Sequence, residues 1–450
     1  MKVAIIAEVA GAPLTLASTA FVGALAEGMS DAAAQTRIIG LAHTTRAWSS
    51  ESLGFADVAA PWIGAPRLRL RDRVAAARAG IMDGAGDAGC LGSEAEEWRL
   101  EFLFQRELDD LAGGDADGVI LVYSRSRALL RMCLRAGRRL GWRVVVFATE
   151  ALSDAQIDPA TRDAYIRCVV DHSAGVWCVS HHLAEYWVAQ GVGRERVFVS
   201  PPPIRAGYFV HVPAPGAKNA VYLGNLMHHE IEYLLDIAAL IAEEVPDFRL
   251  TIYGDAPESR RGEIDRLIEE RSVSRVVQVK PPVPGDSVPA ALASGDVLLL
   301  PRARGEFSQA GFPNKLGEYL ASGRPVVVSG VGDIPRYLTD RLSARIVPPD
   351  DTAAFAAAVI DVLGDPSAAA SLGAAGRDVA SELSRADLVA ARTLAFVRTT
   401  PPAPAPVAAT RPVAAFAQSC VPDAKRAIVR ALRALGLKPP EADRVERRAG

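Results

Sequence analysis

The apolar positions fall into short, largely uninterrupted runs rather than alternating ones. In the first half these are Val3–Ala7, Arg37–Gly40, Gly118–Val122, Arg143–Phe147, Gly175–Cys178 and Val197–Val199. In the second half they are Ala220–Leu223, Phe248–Tyr253, Val276–Val279, Val297–Leu300, Val326–Val328 and Ala344–Ile346. Runs of this length, rich in β-branched residues and separated by helical stretches, read as buried strands of a doubly wound α/β sheet. The rhythm stops at Pro201-Pro202-Pro203 and restarts after His211–Lys218, whose prolines and glycine mark a linker. The expectation is two Rossmann-like doubly wound domains, residues 1–212 and 217–398, facing a cleft that holds the site beyond the strands' carboxyl ends. The segment from Thr45 to Ala112 is less regular and rich in Gly, Asp and Arg. Residues 399–450 read as a Pro/Ala-rich linker and a basic amphipathic helix, Asp423–Leu437.

One stretch carries chemistry. Gly311-Phe312-Pro313-Asn314-Lys315-Leu316-Gly317-Glu318-Tyr319-Leu320-Ala321-Ser322-Gly323-Arg324-Pro325 reads as loop, helix and turn before the strand Val326–Val328. Pro313 bars helix before it, and Asn314 is a good N-cap for a helix over 315–322. Gly323 ends that helix and Pro325 prevents its return. Lys315 and Glu318, three residues apart, share one helix face. A helix N-terminus beside a cation suits a diphosphate. A carboxylate one turn on can accept two ribose hydroxyls.

This stretch resembles the donor-site signature of the group 1 (family 4-like) glycosyltransferases, which have the GT-B fold. Ala174–Ser180, Tyr222-Leu223-Gly224-Asn225, Leu250–Gly254 and Asp296–Pro301 also resemble strands of that family, so the likeness runs from about Asp115 to Val397. It implies a retaining glycosyltransferase that moves a sugar from a nucleoside diphosphate sugar to an acceptor hydroxyl on a glycan, lipid-linked or cell-surface polysaccharide precursor. The alternatives are a non-catalytic nucleotide-sugar-binding or scaffold protein and an epimerase of the same fold. Expected donor-binding residues are Glu318, Lys315, Gly311, Phe312, Asn314, Gly224, Asn225 and Gly11. Lys315 and Glu150 are the catalytic candidates, Glu150 because it follows the strand Arg143–Phe147 where the family places a cleft-facing His or acid. Base contacts are expected near Val279-Lys280-Pro281. No metal or other cofactor is expected, and Asp115-Ala116-Asp117, which precedes a strand, reads as a turn.

The chain departs from the family in two places. Many members carry a further Glu eight residues before Glu318, where this chain has Ala310; Glu306, four residues further back in the preceding loop, is the candidate substitute. Many also place an Arg and a Lys after the glycine turn, where this chain has Asn225, His228 and His229. Neighbouring histidines point to different sides of a helix, which argues against a two-His metal site. If Lys315 is not the neutralising cation, these histidines and the Arg302–Arg304 loop are the remaining candidates.

Composition narrows the setting. A net charge of -3 gives no reason to expect nucleic acid. Five cysteines without C-x-x-C spacing suggest reduced thiols and hence the cytoplasm. Glu8 and Pro13 interrupt the apolar start that would otherwise mimic a signal peptide, and no run approaches the ~18 apolar residues of a span. Seven arginines and no acid lie between Arg125 and Arg143. With the basic C-terminal helix, they suggest a peripheral position on an anionic membrane surface.

Overall fold

The computed structural model describes residues 1–9, 16–32, 35–42, 105, 108–150, 152, 158–209, 212–226 and 230–401. Twelve strands are described: β1 (Lys2–Val9), β2 (Gln35–Ala42), β3 (Gly118–Tyr123), β4 (Arg143–Ala148), β5 (Gly175–Cys178), β6 (Val197–Val199), β7 (Asn219–Leu223), β8 (Arg249–Tyr253), β9 (Val277–Lys280), β10 (Val297–Leu300), β11 (Val326–Ser329) and β12 (Arg345–Val347). Helices in the first half are α1 (Leu16–Asp31), α2 (Arg127–Leu140), α3 (Pro159–His172) and α4 (His181–Ala189). The second half adds α5 (Glu230–Glu244), α6 (Glu258–Glu270), α7 (Val288–Ala293), α8 (Glu306–Ala310), α9 (Asn314–Ala321), α10 (Ile334–Tyr337), α11 (Thr352–Gly364), α12 (Pro366–Ser384) and α13 (Ala386–Thr399).

The strands form two six-stranded sheets, ordered β2-β1-β3-β4-β5-β6 and β12-β11-β10-β7-β8-β9. Every strand pair is parallel. In the second sheet the chain starts at β7, winds outward through β8 and β9, then returns to place β10 on the other side of β7. This reversal opens a crevice at the carboxyl ends of β7 and β10, where a doubly wound sheet takes its ligand.

Local chemistry sets the helix ends. Ser126, Asp158 and Ser180 accept hydrogen bonds from the third amide beyond them and start α2, α3 and α4. Gly141 takes φ 72° to end α2, and Gly323 takes φ 73° just after α9. The core of the first sheet is aromatic: Phe147 lies 4.6 Å from Trp177 and 5.2 Å from Phe21 between ring centroids. Phe396 of α13 stacks on Phe198 of β6 at 5.2 Å, so a helix that follows the second sheet packs on the first. A side chain at Gly28 of α1 would collide with the Ala386 carbonyl, which fixes how closely α1 and α13 lie.

Two expectations about the signature stretch are corrected. Asn314 is not the cap of α9 but its first residue; Pro313 holds the cap position and no side chain bonds there. A proline already set in the extended region delivers the chain into the helix without one. Glu306 does not lie in a loop but begins the short helix α8 after Gly305. Asp115 Oδ1 accepts the Asp117 amide at 2.8 Å just before β3, forming a turn. Residues 402–450, including Asp423–Leu437, lie outside the described residues, as do Gly11, His228 and His229.

The end of α9 is held by a close backbone approach, because a Cβ on Gly373 of α12 would strike the Gly323 carbonyl and Arg324. Gly373→Ala should therefore destabilise the fold by about 1–3 kcal/mol through overpacking, read as a lower urea midpoint. An unchanged midpoint would show that α12 can move away freely.

Candidate functional site

Lys315 and Glu318 of the signature stretch sit at the crevice, and neither is a plain surface charge. Lys315 Nζ donates to the Tyr222 hydroxyl at 3.0 Å and lies 4.7 Å from the centre of its ring. Tyr222 stands near the carboxyl end of β7 and donates in turn to Glu230 Oε2 at 3.0 Å, at the start of α5. The other Glu230 oxygen lies 3.5 Å from Arg302 Nη1. Arg302 follows β10, its amide donating to Ser329 Oγ of β11 at 2.9 Å, and its guanidinium lies 5.6 Å from the exposed Phe307 ring. A chain of polar contacts, Lys315–Tyr222–Glu230–Arg302, thus bridges the two strands that define the crevice.

Gly224 is required beside it. A Cβ there would run into Lys315 Nζ and the Tyr222 hydroxyl. Tyr319, one residue past Glu318, braces the same turn: its hydroxyl accepts from the Leu223 amide at 2.7 Å and donates to the Leu223 carbonyl at 3.3 Å. The face of α9 opposite the turn is fixed too, because Gly317 packs on Ile204 from the segment after β6.

Lys315 and Glu318 retain some solvent contact, but protein atoms crowd their charged ends. Desolvation pushes the Glu318 carboxyl up to about 7, partly opposed by the charge of Lys315. The Lys315 ammonium is pushed down by desolvation, held up by Glu230, and pushed down further by Arg302. Burial, with Glu230 close by, drives the Tyr222 hydroxyl well above its ordinary range. No hydrogen bond joins Lys315 to Glu318 among the described contacts.

The rest of the candidate set is spread around the cleft. Phe312 is buried edge-on against Tyr337 at 5.6 Å. A Cβ on Gly311 would lie 3.8 Å from the Thr149 carbonyl, so the loop before α9 meets the end of β4 across the cleft. Glu150, next in the chain, is partly exposed and 3.4 Å from Arg125 Nη1. Asn225 follows Gly224 on the way to α5, and Asn314 is partly exposed at the start of α9. Lys280 closes β9; its carbonyl accepts the Gly254 amide at 3.1 Å and its ammonium lies 5.5 Å from the Tyr253 ring. Ala310, where the family's first Glu would stand, is fully buried, and its carbonyl accepts a hydrogen bond from Ser180 Oγ. Among the described residues, no three His, Cys, Asp or Glu side chains converge as a metal cluster. Of the seven arginines, Arg125, Arg139 and Arg143 bond to Glu150, to Asp109 and Gln105, and to the Thr400 carbonyl.

Sequence reasoning did not find Tyr222 or Glu230, and it reached Arg302 only as a fallback. Their common signal is position: each lies at or just past a strand end, or at the first turn of the helix that follows, on the crevice side of the second sheet.

Two facing Rossmann-like domains with a polar crevice at the switch point of the second define a GT-B protein. Residues 217–365, which take in most of the second domain, match the family model described as Glycosyl transferases group 1. Over 249 residues the chain is 29% identical to a GDP-mannose-dependent alpha-(1-6)-phosphatidylinositol monomannoside mannosyltransferase of Mycolicibacterium smegmatis. Over 237 residues it is 24% identical to a D-inositol 3-phosphate glycosyltransferase of Pseudarthrobacter chlorophenolicus. These matches cover 54% and 50% of this chain and span 63% and 55% of the relatives. The solved structure of Anabaena HepE with UDP and glucose superposes with a TM-score of 0.65 at 13% identity, over 88% of this chain and 99% of that one. Sucrose-phosphate synthase of Thermosynechococcus elongatus gives 0.62 at 17% identity, over 88% and 98%.

The raised Glu318 pKa makes a signed prediction. In the unfolded chain this carboxyl ionises near its ordinary value of 4.5, and in the folded chain near 7. The folded state thus holds a proton that the unfolded state gives up, and stability falls as pH rises from about 4.5 through about 7. Glu318→Gln should remove this fall, so the variant gains on wild type across that interval. Melting curves from pH 4.5 to 8 read it. Parallel pH profiles would show that the carboxyl is not desolvated.

Proposed function

We propose that this protein transfers a sugar, with retention of configuration, from a nucleoside diphosphate sugar to an acceptor hydroxyl. The observation that carries the reading is the placement of Lys315 and Glu318 on α9, beside the glycine turn at the end of β7, inside a group 1 glycosyltransferase domain. In this reading Glu318 accepts the ribose hydroxyls. The approach of two O–H donors favours its ionised form and offsets the desolvation that raises its pKa. The diphosphate is met by the amides at the start of α9 and by Lys315, and no metal is called for. Catalysis consists of aligning donor and acceptor and holding the charge that develops on the departing diphosphate. The retaining outcome rests on the family resemblance. The names of the two relatives, one for an inositol phosphate and one for a phosphatidylinositol mannoside, support a polyol or lipid-linked acceptor.

The test is nucleoside diphosphate release from a panel of UDP, GDP, ADP and dTDP sugars, with inositol phosphates and glycolipids as acceptors. Acceptor-independent binding without release from any pair would leave a binding protein. Glu318→Gln should weaken donor binding by about 1.5–3 kcal/mol, the worth of a charged hydrogen bond; titration calorimetry measures it, and unchanged affinity would sink the ribose assignment. Lys315→Ala should cost turnover far more than nucleoside affinity, because charge grows on the diphosphate only as the glycosidic bond breaks. The expected loss is about 2.7–4 kcal/mol of barrier, roughly a hundredfold or more in kcat. A rate within about threefold of wild type would exclude Lys315 from that role.

A further inference from the structure

Arg302 and Glu230 are absent from the resemblance, yet they occupy the heart of the crevice. Arg302 stands just past the end of β10 and Glu230 at the first turn of α5, on either side of the reversal between β10 and β7. Both are largely buried, and their contact at 3.5 Å is an ion pair rather than a tight bidentate bond. Arg302 Nε is buried and has no hydrogen-bond partner among the described residues. A buried N–H of a charged group left unpaired is costly, and a planar guanidinium presents its donors as a fork suited to phosphate oxygens.

The charge count points the same way. Lys315 and Arg302 are close enough that Arg302 lowers the ammonium's proton affinity. The carboxylate that serves both is Glu230, reaching Lys315 through the Tyr222 hydroxyl and Arg302 directly. Glu318 also acts on Lys315, but without a hydrogen bond and with its own carboxyl pushed up to about 7. Among the described residues Glu230 is thus the one carboxylate bonded into this chain, and with an unpaired Arg302 donor left over the site is arranged for more negative charge than its bonded groups supply.

We infer that Arg302 is the second diphosphate ligand of the donor site and that Glu230 is its resting counter-ion, an internal anion with which the incoming diphosphate competes. When a diphosphate binds, its oxygens take the Nε–Nη fork of Arg302 and the ammonium of Lys315, and Glu230 gives up its hold on both. Glu230 therefore sets the affinity of the site from the unfavourable side, keeping two like charges stable while the crevice is empty. This rests on the donor-site reading above.

The two partners should act with opposite sign, which a merely structural ion pair would not do. The probes are inorganic pyrophosphate, a nucleoside diphosphate and the matching nucleoside, with binding followed by calorimetry on the full chain. Arg302→Gln should weaken both diphosphate probes by about tenfold or more, as for a charged hydrogen bond, and leave the nucleoside unchanged. Glu230→Gln should tighten pyrophosphate binding several-fold. Weaker or unchanged pyrophosphate binding by Glu230→Gln would overturn the inference, as would equal losses of nucleoside and nucleoside diphosphate in Arg302→Gln. Should Glu230→Gln not fold, Arg302→Lys carries the test: it keeps the charge but loses the fork, so a loss confined to the diphosphate probes supports the inference and an unchanged affinity overturns it. Pyrophosphate needs neither base nor sugar, so an opposite-sign result with no turnover of any sugar donor would retain the anion site and reject the transferase.

Discussion

The constraint on which this site depends is the desolvation of charge at the switch point of the second sheet. Lys315, Glu318, Glu230 and Arg302 are gathered where β7 and β10 part, and Lys315 and Glu318 are removed from enough water that burial and their neighbours shift their proton affinity. Had they stood on an open surface, their Coulomb energies would be screened to little. Here Glu230, Arg302 and Glu318 all act on the ammonium of Lys315, and one Arg302 donor is left unpaired. That sensitivity to added charge makes the crevice a receptor rather than a salt-bridged surface.

The scaffold serves this arrangement by holding α9 from several sides. Gly224 gives room for the ammonium, Tyr319 ties the helix to the end of β7, Gly317 lets Ile204 approach its backbone, and Gly373 lets α12 approach its end. Ile204 also pairs with Arg385 between α12 and α13, its amide donating to the Ser384 carbonyl at 2.6 Å. The site helix is therefore packed by the segment that leaves the first sheet and by the helices that return to it. Its position is a property of the whole body and not of the second domain alone.

The strands were legible because a buried parallel strand advertises itself as an apolar run, and each expected run lies within one residue or so of a strand. Lys315 and Glu318 were legible because glycines and prolines frame them. The polar chain was not. Tyr222 reads as one more strand residue, and its hydroxyl gains meaning only when Glu230 and Lys315, distant along the chain, meet it. Glu306 was misread because a one-turn helix after glycine carries no periodicity. Asn314 was misread as a cap because proline geometry did the work its side chain would have done.

A last consequence follows from Asp333. Its buried carboxylate belongs to the second half, yet Oδ2 accepts the His181 amide at 2.6 Å and lies 2.9 Å from His181 Nδ1, at the first turn of α4 in the first half. One half of the molecule thus finishes a helix of the other. Separating the two halves would strand an amide at the head of α4 and bring a sheltered carboxylate into water at the same moment. The two groups would have to be separated in one step, so this contact acts as a clasp that favours the seated position of the two halves.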